Sequence, residues 1–376
     1  MRSFIAALAA VVVQAEWIPE SSFKNLILEQ KQYVNGGNFT PITMNINGQD
    51  TTKYIVSDWC SSESKSYICN MNNRGFIMNS AVYESTAPDF YKPNLLGGSI
   101  EWDVNVGEFE CGCLNTFYTV KMPSKDWNGN LSTAGDSWYY CDANVHDSLC
   151  PEFDLQEANK YSWATTPHVC NSPNEHGHYD YCDGSGQCAL NIVDQLQWNG
   201  YGPGQQYTIN TEQDFHVKVS FEDADPNSGH LNSFSTTLSQ NGREQTMTAY
   251  GCDYVNGMIN DISDGMAFVV SAWGEGITDP AVTNWLTKDR CSGVCSVHAQ
   301  ETIKNIKITE GTIKPSGPSP SDYDPSKYQF GNSCAHATDD LCGSQSCPSI
   351  SHCRWSWPWG ESDSGPNAHC RCDIKV

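Results

Sequence analysis

The sequence predicts an all-β fold: a sandwich of two antiparallel sheets, followed by a small disulfide-rich C-terminal unit. Three observations carry this expectation. Short runs of β-branched and aromatic residues recur along the chain, separated by clusters of Gly, Asn, Asp and Pro, and regular helical periodicity is hard to find. In the run Phe215 to Phe221, the apolar Phe215, Val217, Val219 and Phe221 alternate with His216, Lys218 and Ser220, as in a strand with one buried and one wet face. The 18 cysteines split into twelve before and six after a Pro/Ser/Gly-rich stretch, both even numbers, so each side can close its own bridges.

Taken in order, residues 1–15 read as a signal peptide. Arg2 supplies the positive charge, Phe4 to Val13 the apolar run, and Val13-Gln14-Ala15 the small residues at a cleavage point. The run is too short to cross a bilayer. A secreted, extracellular protein with no membrane partner is expected, and a disulfide framework fits that oxidising setting. Zinc fits less well, because Cys111-Gly-Cys113 and Cys370-Arg-Cys372 lack the usual knuckle spacing. Two glycosylation sequons, Asn38-Phe39-Thr40 and Asn130-Leu131-Ser132, agree with secretion.

Residues 16–310 carry the sandwich. Strands are expected at Ser99–Val106, Thr116–Met122, Phe215–Phe221 and Met266–Trp273. Residues 311–327 read as a semi-stiff linker. Residues 328–376 hold six cysteines, the staples that so small a unit needs. Trp355, Trp357 and Trp359 alternate there and would share one face of a strand, a surface suited to docking on a polysaccharide or to filling a tiny core.

Composition narrows the function. Charged residues are only 17%, aromatic residues reach 11%, and the net charge is −23. A disordered chain would be poorer in aromatics, and nucleic acid would be repelled. A neutral polysaccharide is compatible.

The segment Glu152-Phe153-Asp154-Leu155-Gln156-Glu157 sets three carboxylates among apolar residues in an apparent strand. Glu152 and Asp154 are two apart and share a face. Glu157 is five from Glu152, so a regular strand would turn it away, and a β-bulge within Asp154–Glu157 would bring it back. Two carboxyl groups roughly 5–5.5 Å apart suit cleavage of a glycosidic bond with retention of configuration. Asp154 would support Glu152, and like charges would raise the pKa of the acid. Alone, the pattern also describes an acidic exposed strand face.

Its surroundings decide. Glu152-Phe-Asp-Leu-Gln-Glu-Ala-Asn159, followed by Thr166-Pro-His168 and Cys170, resembles the signature of glycoside hydrolase family 7. Leu95-Leu-Gly97, Trp102 to Val106, Leu114-Asn115, Phe117-Tyr118, Tyr140-Cys-Asp142, Tyr201-Gly-Pro-Gly204, Gly265-Met266, Ser271-Ala-Trp273 and Asn305-Ile-Lys307 follow the family's order. The resemblance implies a concanavalin-like jelly roll and a retaining endo-β-1,4-glucanase. In it Glu152 is the nucleophile, Asp154 its support and Glu157 the acid/base. It further implies sugar contacts from His168, Tyr118, Tyr140, Asp142 and Asn115, and stacking by Trp273 and Trp285. No cofactor and no metal are expected; Asp223-Ala-Asp225 is too sparse for calcium. The partner would be a cellulose-like β-glucan, and the chain would act as a monomer. Only nine residues separate Asp142 from Glu152, and the family's cellobiohydrolases carry a long insertion there, so an open cleft and endo action are implied. The alternatives are a cellobiohydrolase, a mixed-linkage or β-1,3-glucanase of the same fold, and a non-catalytic polysaccharide-binding or cell-wall protein.

Overall fold

The computed structural model describes residues 39–57, 59–81, 88–135, 138–145, 147–195, 199–274, 284–287, 295 and 299–316, and the backbone of 352–356 and 369–373. The signal peptide, Asn38 of the first sequon, Trp357, Trp359 and most of the linker and C-terminal unit lie outside the described residues.

The strands follow in chain order. They begin with β1 (Phe39–Ile46), β2 (Gln49–Val56), β3 (Cys60–Glu63), β4 (Ser66–Asn70), β5 (Asn73–Met78) and β6 (Ser99–Val104). Next come β7 (Leu114–Val120), β8 (Glu152–Ala158), β9 (Trp163–His168) and β10 (Leu190–Asn191). After the short pair β11 (Tyr201–Gly202) and β12 (Ile209–Asn210) come β13 (Phe215–Ala224), β14 (Leu231–Gln240), β15 (Arg243–Tyr250), β16 (Ala267–Trp273) and β17 (Gln300–Thr309).

Ten of these strands form one sheet, ordered β15-β14-β13-β6-β17-β1-β2-β5, with β4 also on β17 and β3 on β4. Five form the second, ordered β10-β9-β8-β7-β16. Pairing is antiparallel throughout both sheets except between β1 and β17.

Side chains from the facing sides of the two sheets make one core. Trp102 of β6 stacks on Trp163 of β9 at 6.3 Å and meets Phe117 of β7 edge-on at 5.1 Å. Phe153 of β8 meets Phe221 of β13 and Phe234 of β14 edge-on at 5.0 and 5.3 Å. Edge-on geometry sets the positive rim of one ring against the negative face of the other. β13 buries Phe215, Val217, Val219 and Phe221 and leaves His216, Lys218 and Ser220 partly exposed, as its alternation requires.

The five-stranded sheet differs. Every residue of β7 and β9 is buried, and in β8 only Glu157 is partly exposed. Pro167, which has no N–H, sits in β9 beyond the stretch that β10 pairs, so that edge loses no ladder bond. Disulfides join Cys60–Cys69, Cys113–Cys295, Cys141–Cys150, Cys170–Cys182 and Cys188–Cys252, and Cys111 is also disulfide-bonded. After β17 the chain stays on the domain through residue 313, where Asn94 Nδ2 donates to the Ile313 carbonyl at 3.0 Å. Further on, His352–Ser356 and His369–Asp373 pair as an antiparallel hairpin, with Cys353 opposite Cys372.

Candidate active site

Strand β8 runs in the middle of the five-stranded sheet, between β7 and β9. Against β9, Asp154 pairs with Thr166 and Glu157 with Ala164: three steps on β8 meet two on β9. Against β7, Tyr118 pairs with Asp154 and Phe117 with Gln156, leaving Leu155 unmatched. The bulge expected between Asp154 and Glu157 is therefore present. It reverses the alternation, so Glu157 returns to the face of Glu152 and Asp154.

The opposite face shows what the bulge does with its extra residue. Phe153 and Leu155 enter the core, and so does Gln156. Gln156 Oε1 accepts from Trp102 Nε1 at 2.8 Å, and its Nε2 donates to Asn115 Oδ1. A buried amide must be bonded to be tolerated, and these partners supply that.

On the other face, Glu152, Asp154 and His168 converge, with a carboxylate oxygen of each acid and a ring nitrogen of the histidine all within 4.8 Å of one another. His168 sits on β9 directly opposite Glu152. Its Nε2 donates to Asp154 Oδ2 at 2.9 Å and its Nδ1 to the Asp183 carbonyl at 2.9 Å. Burial opposes its charge, but the bond to Asp154 and the fields of Asp154, Glu152 and Glu157 outweigh this and hold its pKa up at about 10. The imidazolium is thus the resting form at neutral pH.

The turn that carries Asp183 is fixed in three ways. The Cys170–Cys182 bridge ties it to the end of β9. Tyr254 Oη donates to Asp183 Oδ2 at 3.1 Å. Gly186, at φ +64°, lets the turn close on the histidine, since a Cβ there would lie 2.6 Å from Thr166 Cγ2 and 3.0 Å from His168 Cε1.

Burial, then the neighbouring Asp154 and Asp142, push the Glu152 carboxyl well above the ordinary range; His168 and the Ala143 N–H, which donates to Glu152 Oε2 at 3.0 Å, pull against this. Burial and Asp154 also push Glu157 well up. Among the described residues no hydrogen bond donor reaches Glu157, and the field of His168 is what favours its anion, where Glu152 also has the Ala143 N–H. Asp154 is raised by burial too, against its bond to His168.

Tyr118 and Tyr140 share a hydrogen bond of 2.8 Å, and Tyr140 Oη donates to Asp142 Oδ2 at 2.7 Å. Asp142 Oδ1 accepts from the N–H groups of Asn144 and Val145 at 2.7 and 2.6 Å. The Arg74 guanidinium lies 3.8 Å from the Tyr140 ring centroid, a cation–π contact. Trp273 and Trp285, both partly exposed, pack with Leu114, Ala164 and Leu286, and Ala164 is the pairing partner of Glu157. Both tryptophans therefore gather at the Glu157 end.

Asn115 is the exception. It is 0% exposed and lies on the core face of β7, bonded to Gln156, whereas Tyr118 lies on the opposite face with Tyr140. Strand parity sets this, because residues three apart cannot share a face. Asn115 is a core partner of the bulge and presents no surface to a sugar. Sequence reading missed Arg74, Ala143, Asp183, Gly186 and Tyr254. Each acts through a backbone group or from a distant part of the chain, and no local pattern signals that.

Residues 143–279 match the model of glycosyl hydrolase family 7. The matched stretch holds Glu152, Asp154, Glu157 and His168. The chain is 27% identical over 198 residues to the endo-beta-1,4-glucanase celB of Aspergillus oryzae, covering 46% of this chain and 47% of that one. The probable endo-beta-1,4-glucanase celB of Aspergillus flavus matches to the same degree. The chain thus spans about half the length of these curated relatives. The same fold occurs in an endoglucanase I complexed with cellobiose (TM-score 0.58, 16% identity, 74% of this chain and 98% of that one). It also occurs in a family 7 cellobiohydrolase from Daphnia pulex (TM-score 0.54, 16% identity, 73% and 97%). These neighbours bear out the concanavalin-like jelly roll.

Proposed function

We infer that this protein is a family 7 glycoside hydrolase, a secreted, retaining endo-β-1,4-glucanase acting on cellulose or a related β-glucan. The observation that carries the reading is the bulge, which sets Glu152, Asp154 and Glu157 on one face beside His168.

In the proposed reaction Glu152 attacks the anomeric carbon while Glu157 protonates the departing glycosidic oxygen. A covalent glycosyl-enzyme forms. Water then attacks with Glu157 as base, and a second inversion restores the configuration. Glu157, raised by burial and short of donors, suits the acid; Glu152, held by the Ala143 N–H, suits the nucleophile. Asp154 and His168 form an ion pair that fixes the face; Asp154 raises the proton affinity of both glutamates and His168 restrains it. Trp273 and Trp285 offer partly exposed rings to a pyranose at the Glu157 end. Tyr118, Tyr140 and Asp142 form the polar chain on the other side.

Endo action is favoured by the short path from Asp142 to Glu152. The Cys141–Cys150 bridge and the bond from Cys150 N to the Asp142 carbonyl, 2.9 Å, hold it as a tight loop. Residues 225–230 likewise make a short turn into the β14–β15 hairpin.

The test compares wild type with Glu152→Gln for viscosity loss and reducing ends on carboxymethylcellulose. The variant keeps the side-chain shape and loses the nucleophile. Rapid viscosity loss by wild type with an inert variant is expected. Reducing ends without viscosity loss would favour exo action, and inactivity of both on this and mixed-linkage glucan would favour a binding role.

A further inference from the structure

The second sequon, Asn130-Leu131-Ser132, lies on a hairpin that the reaction does not use. Lys125 and Leu131 pair as an antiparallel bridge and leave residues 126–130 as its turn. The turn is locked from inside. Asp126 Oδ1 accepts the N–H groups of Asn128 and Asn130, both at 2.9 Å. Gly129 N donates to the Asp126 carbonyl at 3.0 Å, and Asp126 N to that of Asn130 at 2.9 Å. Gly129 has φ +83°, which a side chain would resist.

Trp127 is displayed at the tip of this turn, 60% exposed. The indole is not loose. Its ring centroid lies 4.3 Å from that of His178. His178 is anchored by its Nδ1 against the Lys125 carbonyl at 2.7 Å and by its N–H to Asn174 Oδ1 at 3.0 Å. Asn174 Nδ2 in turn donates to the Trp127 carbonyl at 3.3 Å. The ring is thus propped on one side and open to water over the rest. Asn130 stands three residues on in the same turn, exposed, with Nδ2 donating to Asp126 Oδ2 at 3.1 Å.

We propose that Asn130 is an N-glycosylation site and that Trp127 is the platform on which its first N-acetylglucosamine rests. A large aromatic plane held open on a rigid turn is costly to leave in water. The C–H face and acetyl methyl group of the first sugar are apolar and would be tethered within reach of that plane. The tether removes most of the entropic cost of the contact. In forming the bond, Asn130 Nδ2 displaces the pyrophosphate from C1 of a lipid-pyrophosphate-linked oligosaccharide. The C1–N bond forms, the C1–O bond breaks, and the lost amide proton leaves with the lipid pyrophosphate. The modified nitrogen keeps one N–H, enough to go on donating to Asp126.

The proposal requires passage through a secretory pathway. The test therefore supplies a heterologous secretion leader to the full chain in a eukaryotic host that glycosylates asparagine. Wild type, Asn130→Gln and Trp127→Ala are secreted, and occupancy of Asn130 is read by peptide mass. Glycans are then trimmed to one N-acetylglucosamine and Tm is measured. Most wild-type molecules should carry the sugar and melt roughly 2 °C or more above Asn130→Gln. Trp127→Ala should lower occupancy at least about twofold and abolish the Tm gain, as expected if the ring makes the contact. Folded, secreted wild type with Asn130 bare would overturn the proposal. So would a Tm gain that survives in Trp127→Ala. If Trp127 instead receives a β-glucan chain, Trp127→Ala would weaken polysaccharide pull-down and leave occupancy and Tm gain untouched, which also contradicts the proposal.

Discussion

Strands β8 and β13 have opposite habits. β13 keeps strict alternation from Phe215 to Phe221, with apolar residues in the core and polar ones toward water. β8 starts the same way and then breaks the pattern, so that Leu155 and Gln156 both enter the core and Glu157 turns to the face of Glu152. The first strand buries apolar area and costs nothing unusual. The second buries two carboxyls and a glutamine and leaves a third carboxyl, Glu157, partly exposed, which is tolerated because each has a bonded or charged neighbour. Regular alternation specifies packing, and its interruption marks where chemistry takes precedence over packing.

This contrast can be sharpened by substitution. Glu157→Gln on β8 should leave Tm unchanged or raised, since it removes a half-buried acid that accepts no hydrogen bond among the described residues, yet lower kcat by about 10²–10⁴-fold, the usual worth of an acid/base group. Steady-state kinetics beside a melting curve checks both halves. On β13 the effects should be reversed. Phe221→Ala should cost about 3–5 kcal/mol of stability, read by denaturant unfolding, with kcat per folded molecule unchanged. A loss of kcat in Phe221→Ala under conditions where it stays folded would break the contrast.

A smaller effect is expected at Glu301, on the core face of β17. It is 0% exposed, its carboxylate oxygens meet no side-chain partner, and burial pushes its pKa well above the ordinary 4.5 of a glutamate. The folded state therefore keeps a proton that the unfolded chain releases above about 4.5. The stability this group contributes is fully present below that pH and is lost as pH rises toward its folded value. Wild type and Glu301→Gln should differ little in pH dependence in acid, and the variant should gain on wild type as pH rises, measured as Tm against pH. Parallel curves across the range would show that Glu301 is ionised in the fold.

Much of this was legible in the sequence. The alternation in Phe215–Phe221 predicted the strand and its faces. The odd spacing of Glu152 and Glu157 predicted the bulge, because chemistry asked for one face and parity refused it. Asn115 shows the limit. Its neighbour Leu114 lies with Trp273 and Trp285, while Asn115 itself points into the core; which face a residue takes depends on register, and register is set by strands far away in the chain. Arg74 under Tyr140 arrives from strand β5 and Asp183 behind His168 from a turn, through contacts that no local period encodes.

The most direct test of the central claim is to trap the covalent intermediate. Wild type would be incubated with a 2-deoxy-2-fluoro-β-cellobioside bearing a good leaving group, digested, and mapped by peptide mass. The expected result is one sugar adduct per chain, on the peptide containing Glu152 and on that residue. Turnover with no adduct and with inverted product, or an adduct on Glu157 or elsewhere, would contradict the assignment of Glu152 and Glu157.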